Sequence, residues 1–197
     1  KVLWLACWMI HNANHIRENQ DGLKVGGHQA SSASIVSIMT ALYFNILRPE
    51  DRVAVKPHAS PVFHAIQYLS GLQTKEKIEN FRGFGGAQSY PSRTKDIDDV
   101  DISTGSVGLG VAMTSFISLI QDYVARKKFY KNKPLGRMIA LVGDAELDEG
   151  NVYECLQEGW KHDLRNVWWI IDYNRQSLDG VVPVSYTHLT LPTIRWG

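Results

Sequence analysis

Two acid- and amide-rich clusters, Gly143-Asp144-Ala145-Glu146-Leu147-Asp148-Glu149 and Asp172-Tyr173-Asn174-Arg175-Gln176, lie roughly thirty residues apart, and each directly follows a short apolar run. Residues 137–142 and 167–171 have the branched and aromatic composition of buried strands, and residues 151–161 between them have the pattern of a helix. A right-handed crossover of this kind sets its two strands parallel and close together. Both clusters then emerge at the carboxyl edge of the sheet, where open α/β sheets bind ligands. The spacing predicts an α/β fold, a parallel sheet with helices on both faces, in which Asp144 and Asn174 face one pocket. A carboxylate, an amide oxygen and a nearby main-chain carbonyl suit a hard divalent cation such as Mg²⁺, which keeps its other positions for water and substrate phosphates.

The rest of the chain supplies layers for that sheet. Ser31 or Ser32 can cap a helix whose apolar positions Ile35, Ile38, Met39, Leu42 and Ile46 recur at helical spacing. Residues 52–56 read as a strand, and Ser60-Pro61 and Gly71 carry start and stop signals for the next helix, which leaves His58 in a strand-to-helix turn. Residues 108–129 return to a helical pattern with the basic end Arg126-Lys127-Lys128. Between them, residues 81–105 are rich in glycine, serine and aspartate without periodicity. A loop this long implies function, because compact domains seldom carry one without a role.

Composition narrows the partners. With 21 basic and 20 acidic residues the net charge is +1, which provides no field to draw the chain to nucleic acid or an anionic membrane. Cys7 and Cys155 are far apart and unpaired in spacing, as in a reduced, cytoplasmic protein rather than a disulfide or zinc framework. The longest apolar run, residues 2–10, is too short to span a bilayer. Trp4, Cys7 and Trp8 recur in it at helical spacing, which predicts a packed helix.

A Gly-Asp-Gly-like element followed some thirty residues later by asparagine, here Gly143-Asp144-Ala145 and Asn174, resembles the signature of thiamine diphosphate enzymes. Four further segments narrow the likeness: Gly26-Gly27-His28-Gln29-Ala30-Ser31, Gln88-Ser89-Tyr90-Pro91, Ser103-Thr104-Gly105-Ser106-Val107-Gly108-Leu109-Gly110 and Asn174-Arg175-Gln176-Ser177-Leu178-Asp179-Gly180. In this order they resemble the diphosphate-binding domain of the transketolase superfamily, and within it the homodimeric pyruvate dehydrogenase decarboxylases. The likeness runs over residues 9–182.

The resemblance implies roles for individual residues. Asp144 and Asn174 would hold Mg²⁺ through their side chains, and Gln176 through its main-chain carbonyl. His28 and His58 match active-site histidines that orient the diphosphate or move protons, a task suited to a group titrating near neutral pH. Ser31 is a candidate phosphate ligand. Gly105, Val107 and Gly108 would lie against the cofactor's aminopyrimidine, and Gly143, Ala145, Glu146 and Tyr90 would line the cofactor or substrate. Ala145 departs from the family's usual glycine: its methyl group restricts positive φ, which bears on how closely the backbone approaches the diphosphate.

The implied activity is cleavage of the carbon bond next to a 2-oxo group. The expected substrate is pyruvate, with acetyl transfer to a lipoyl-bearing acyltransferase; the alternative is ketol transfer between sugar phosphates. Two other classes stay open: a degenerate cofactor-binding protein, for which Ala145 speaks, and a magnesium-dependent phosphatase using Asp148. The family's activating glutamate resides on a second, pyrimidine-binding domain, usually of the partner subunit in a homodimer, so this chain alone is expected to be inactive. Residues 1–183 would thus be a partial domain. Residues 184–197 form a separate segment that resembles the translation of a sequencing adapter and is excluded from fold reasoning.

Overall fold

A computed structural model of the chain describes residues 1–18, 22–129, 134–177 and 180–182. Leu178, Asp179 and the segment from Val184 onward, which the sequence sets apart, lie outside the described residues. Strands β1 (Arg52–Ala54), β2 (Met138–Gly143) and β3 (Val167–Asp172) form a parallel sheet in that order, with β2 in the middle. β2 is buried along its whole length because both of its faces are covered. Ile139 and Leu141 enter a large core with α1 (Val2–His11), α3 (Val36–Ala41) and α4 (Ser60–Leu69). Ala140 and Val142 point the other way, into a smaller core with α6 (Leu109–Arg126) and α7 (Gly150–Lys161). The alternation of side chains along a strand thus divides one apolar run between two helical layers. The predicted α/β architecture is the observed one.

Several expectations change in detail. Neither Ser31 nor Ser32 caps a helix: the short α2 (Gln29–Ala33) starts one turn earlier with His28 as its N-cap residue. Ser31 Oγ instead donates back to the His28 carbonyl at 2.9 Å, and the buried Ser32 Oγ donates to the His58 carbonyl at 3.3 Å. The predicted single helix is divided, since Ile35 (φ −94°, ψ −3°) separates α2 from α3 and residues Leu42–Ile46 form a π-helical turn. The strand over residues 52–56 is only three residues long, because Pro57 opens a 3₁₀ turn (Pro57–Ala59) that carries His58. In α1 the buried face is Val2, Ala6, Met9 and Ile10, while Trp4 is 65% exposed and stacks on Trp8 with ring centroids 6.3 Å apart.

The aperiodic stretch over residues 81–105 is ordered by hydrogen bonds in place of secondary structure. The Asp96 carboxylate accepts from the Gln88 and Ser92 amides at 2.9 and 2.8 Å, and Ser60 Oγ donates to the Ser89 carbonyl at 2.6 Å. His64 is fully buried, with Nε2 2.9 Å from the Gln88 carbonyl and Nδ1 against Asp98. Buried polar groups of α4 therefore hold the segment that carries Tyr90.

Phe63 is buried in the large core and meets Tyr43 edge-on at a centroid distance of 6.0 Å. Phe63→Ala leaves a void in this layer, and chemical denaturation should show a loss of about 3–5 kcal/mol.

Candidate functional site

β2 and β3 pair in a register that sets Gly143 opposite Asp172. The residues that follow each strand, Asp144 and Asn174, consequently reach the same opening, a cavity of about 1010 Å³ at the carboxyl edge. His28, Ser31, His58, Tyr90 and Val107 line it, as do Gly143, Ala145, Glu146 and Gln176. Residues far apart in sequence are gathered here by α2, the turn after β1, the loop before α6 and the ends of two strands. Gly105 and Gly108 are set back from the cavity. Gly105 lies behind the Tyr90 ring, and the Gly108 amide donates to Glu146 Oε1 at 2.6 Å.

Glu146 is the joint between the two halves of this wall. Its second oxygen, Oε2, accepts from the Gly143 amide at 3.0 Å, so a single carboxylate ties the end of β2 to the start of α6. Burial pushes its carboxyl up, against the opposing pull of those two amides and of Lys56. Gly108 has φ +84°, and a Cβ there would collide with the Asn151 amide, so only glycine fits. Gly26 is restricted differently: a Cβ would lie 2.5 Å from the Ile10 carbonyl oxygen.

Asp144 is 1% exposed, yet no basic side chain pairs with it among the described residues. Its carboxylate accepts from the Ala145 amide at 3.0 Å and the Arg175 amide at 2.7 Å. Arg175 takes φ +58° to make that contact, a conformation that costs a non-glycine residue about 1–2 kcal/mol. Asn174 Oδ1 accepts from the Gln176 amide at 2.9 Å, and its Nδ2 donates to Ser34 Oγ at 3.2 Å. A buried carboxylate without a cationic partner, beside an amide oxygen, is a donor set suited to a hard divalent cation. Ala145 lies in the 3₁₀ turn Asp144–Asp148 and is not among the positive-φ residues, so its methyl group creates no backbone strain.

The cavity also carries basic groups. His28, His58, Lys56 and Arg82 all line the cavity. Burial lowers the His58 pKa, and Lys56, Arg82 and His28 lower it further, which biases its ring toward the neutral form. Lys56 and Arg82 are absent from the sequence prediction. Lys56 sits 2.7 Å from the buried Asp172 carboxylate, 116 residues away, and no local motif signals that pairing. Arg82 takes φ +59°, donates to the Val25 carbonyl at 2.8 Å and lies over the Phe81 ring. A second group of metal-ligating side chains, His64, Asp96 and Asp98, is separate from the cavity, and its atoms are engaged in the hydrogen bonds that order residues 88–98. No helix among the described residues is long and apolar enough to cross a membrane.

Residues 26–192 match the family model described as transketolase, thiamine diphosphate binding domain. The chain is 28% identical over 192 residues to the pyruvate dehydrogenase E1 component of Mycolicibacterium smegmatis, covering 92% of this chain and 20% of that protein. It is 29% identical over 171 residues to transketolase-like protein 2 of Mus musculus, covering 81% of this chain and 26% of that protein. In fold it is similar to the transketolase from Leishmania mexicana, with a TM-score of 0.77, 20% identity and coverage of 96% of this chain and 28% of that one. The chain thus spans about a fifth to a quarter of the length of the curated relatives it matches.

Two predictions come from this geometry. Glu146→Gln replaces one of two acceptor oxygens by a donor and leaves a buried glycine amide unpaired, which should cost about 1–3 kcal/mol in urea unfolding. The folded-state pKa of His58 is depressed, so its contribution to stability is present above the ordinary histidine pKa and is lost as pH falls through the lowered value. An NMR titration of the His58 ring should give a midpoint below that of a free imidazole.

Proposed function

The chain belongs to the transketolase family of thiamine diphosphate-binding domains, and on that premise we propose that it provides the diphosphate-binding wall of an enzyme that cleaves the carbon bond next to a 2-oxo group. The observation that carries this reading is the buried, cation-free Asp144 sharing one cavity with Asn174, Gln176, Glu146 and two histidines. In this reading Asp144, Asn174 and the Gln176 carbonyl take Mg²⁺. Thiamine diphosphate, when bound, supplies the carbanion chemistry.

The chain's own residues bind and orient. Arg82 presents its guanidinium to an anionic group, His28 and Ser31 line the same cavity, and Lys56 is paired with Asp172. His58, biased toward the neutral form by burial and by its basic neighbours, is suited to take up or return a proton at an imidazole nitrogen. The Tyr90 ring stands 6.3 Å from the His58 ring, centroid to centroid, and closes that side of the opening. Glu146 ties Gly143 to Gly108 and so joins the end of β2 to the start of α6 at the cavity.

Pyruvate is the proposed substrate, with acetyl transfer to a lipoyl-bearing partner, supported by the pyruvate dehydrogenase E1 relatives and by Gln88-Ser89-Tyr90-Pro91. The transketolase-like relative supports the second reading, ketol transfer between sugar phosphates. A homodimer is proposed as well. Leu109, Met113, Phe116, Ile120 and Tyr123 form an exposed apolar stripe along one side of α6, with the three- and four-residue spacing of a helix seam.

Thiamine diphosphate with Mg²⁺ at a hundred times its dissociation constant should raise the melting temperature by about 5–10 °C. Asp144→Ala should remove that rise, and an unmoved melting temperature in the unaltered protein would overturn the reading. Substrate choice is then read from turnover with the pyrimidine-binding domain supplied: leaving out the lipoyl domain abolishes acetyl transfer, whereas ketol transfer requires only a phosphorylated aldose acceptor.

A further inference from the structure

Beside the cavity, three side chains from different elements, the buried Lys56 and Asp172 and the exposed Ser34, form one chain of hydrogen bonds that ends on Asn174. Lys56 Nζ lies 2.7 Å from Asp172 Oδ2, and the two side chains are only 7% and 4% exposed. The same oxygen accepts from Ser34 Oγ at 2.7 Å, and Ser34 Oγ accepts from Asn174 Nδ2 at 3.2 Å. Asp172 ends β3 opposite Gly143, so its main chain belongs to the sheet while its carboxylate takes part in this chain of hydrogen bonds. These hydrogen bonds have a fixed polarity.

An ionised carboxylate only accepts, so it takes the single hydroxyl proton of Ser34. Ser34 then has only lone pairs left to offer its next neighbour. That neighbour is a primary amide whose two ends differ, and only the Nδ2 end can donate. Asn174 is thereby turned with Nδ2 toward Ser34 and Oδ1 away from it, on the side of the Gln176 amide and the cavity. The opposite rotamer would set an acceptor oxygen against an oxygen without a proton to give. Lys56 has a second effect. Asp172 stands two residues before Asn174 and is itself an acidic oxygen donor, but the ammonium and the Ser34 hydroxyl occupy its Oδ2. Asp144 and Glu146 are left as the buried carboxylates of the cavity without a salt bridge among the described residues, and both oxygens of Glu146 are taken by the Gly108 and Gly143 amides.

We infer that Lys56, Asp172 and Ser34 are positioning residues that set the polarity of the Asn174 amide and so present its oxygen, rather than its nitrogen, to a divalent cation. This rests on the proposed function in one respect, that Asp144 and Asn174 hold the cation. Residues that orient a metal ligand from behind typically control affinity by about 10–100-fold when altered.

The test measures the Mg²⁺ concentration giving half of the thermal stabilisation at a fixed, saturating concentration of thiamine diphosphate. Ser34→Ala should raise that midpoint by about 10–100-fold with little change in the melting temperature of the ligand-free protein. Ser34→Thr keeps the hydroxyl and should restore the original midpoint. A purely structural role for Ser34 would instead lower the ligand-free melting temperature and leave the midpoint in place, and that result overturns the inference. Asp144→Ala and Asn174→Ala are measured alongside. If they abolish the Mg²⁺ response while Ser34→Ala leaves it unchanged, the positioning role falls and the cation site stands; if they too leave it unchanged, the cation site falls and the positioning role with it.

Discussion

The parallel register of β2 against β3 is the constraint on which the site depends. Side chains alternate faces along a strand, so a slip of one residue would turn Ile139, Ala140, Leu141 and Val142 each to the wrong helical layer. With β2 packed on both sides, that slip would cost two cores at once. The same register fixes Gly143 opposite Asp172, and the next few residues of each strand end have nowhere to go but the shared opening. Core packing thus sets the separation of Asp144 and Asn174 before either residue makes a contact of its own.

Polar contacts then refine what packing has brought together. The Arg175 amide reaches Asp144 only because Arg175 adopts a left-handed backbone, and the Asp144 carboxylate answers with a 2.7 Å bond. Glu146 connects two glycine amides that belong to different connections, one leaving β2 and one entering α6. The long segment over residues 81–105 is drawn in by α4, where His64 and Ser60 hold the Gln88 and Ser89 carbonyls. Each of these joins a strand end or loop to a helix that is itself anchored in a core.

Much of this was legible in the sequence because it is local. The strands around β2 and β3 show as apolar runs, the clusters after them as acids and amides, and Asp144 and Asn174 follow from the crossover geometry. His28, His58 and Tyr90 were legible through ordered motifs, and all three line the cavity. Lys56 was not legible: it reads as an ordinary strand-end lysine until β1 and β3 are placed on either side of β2, when its partner proves to be Asp172. Arg82 was hidden for a similar reason, since its contact is the Val25 carbonyl 57 residues earlier. Ser31 and Ser32 fit the composition of a helix cap, but the extended backbone at His28 starts the helix sooner and turns both hydroxyls to carbonyls. The Trp4 and Trp8 spacing predicts the packed helix observed as α1, whose buried face is Val2, Ala6, Met9 and Ile10 with Trp8 packed against the same core and Trp4 exposed.

The charge arrangement of the cavity gives the cofactor reading its physical sense. Lys56, the strongest buried cation near the floor, is already balanced by Asp172, whereas Asp144 has only amide donors. Burial pushes the Glu146 carboxyl up and the His58 imidazole down, so both are biased toward their uncharged forms. Asp144 is thus a buried carboxylate with no basic partner among the described residues, in a cavity that the Arg82 guanidinium also lines. In the proposed reading, a metal ion bound to a diphosphate would meet Asp144 through the cation and Arg82 through the anion, so one ligand would answer both groups.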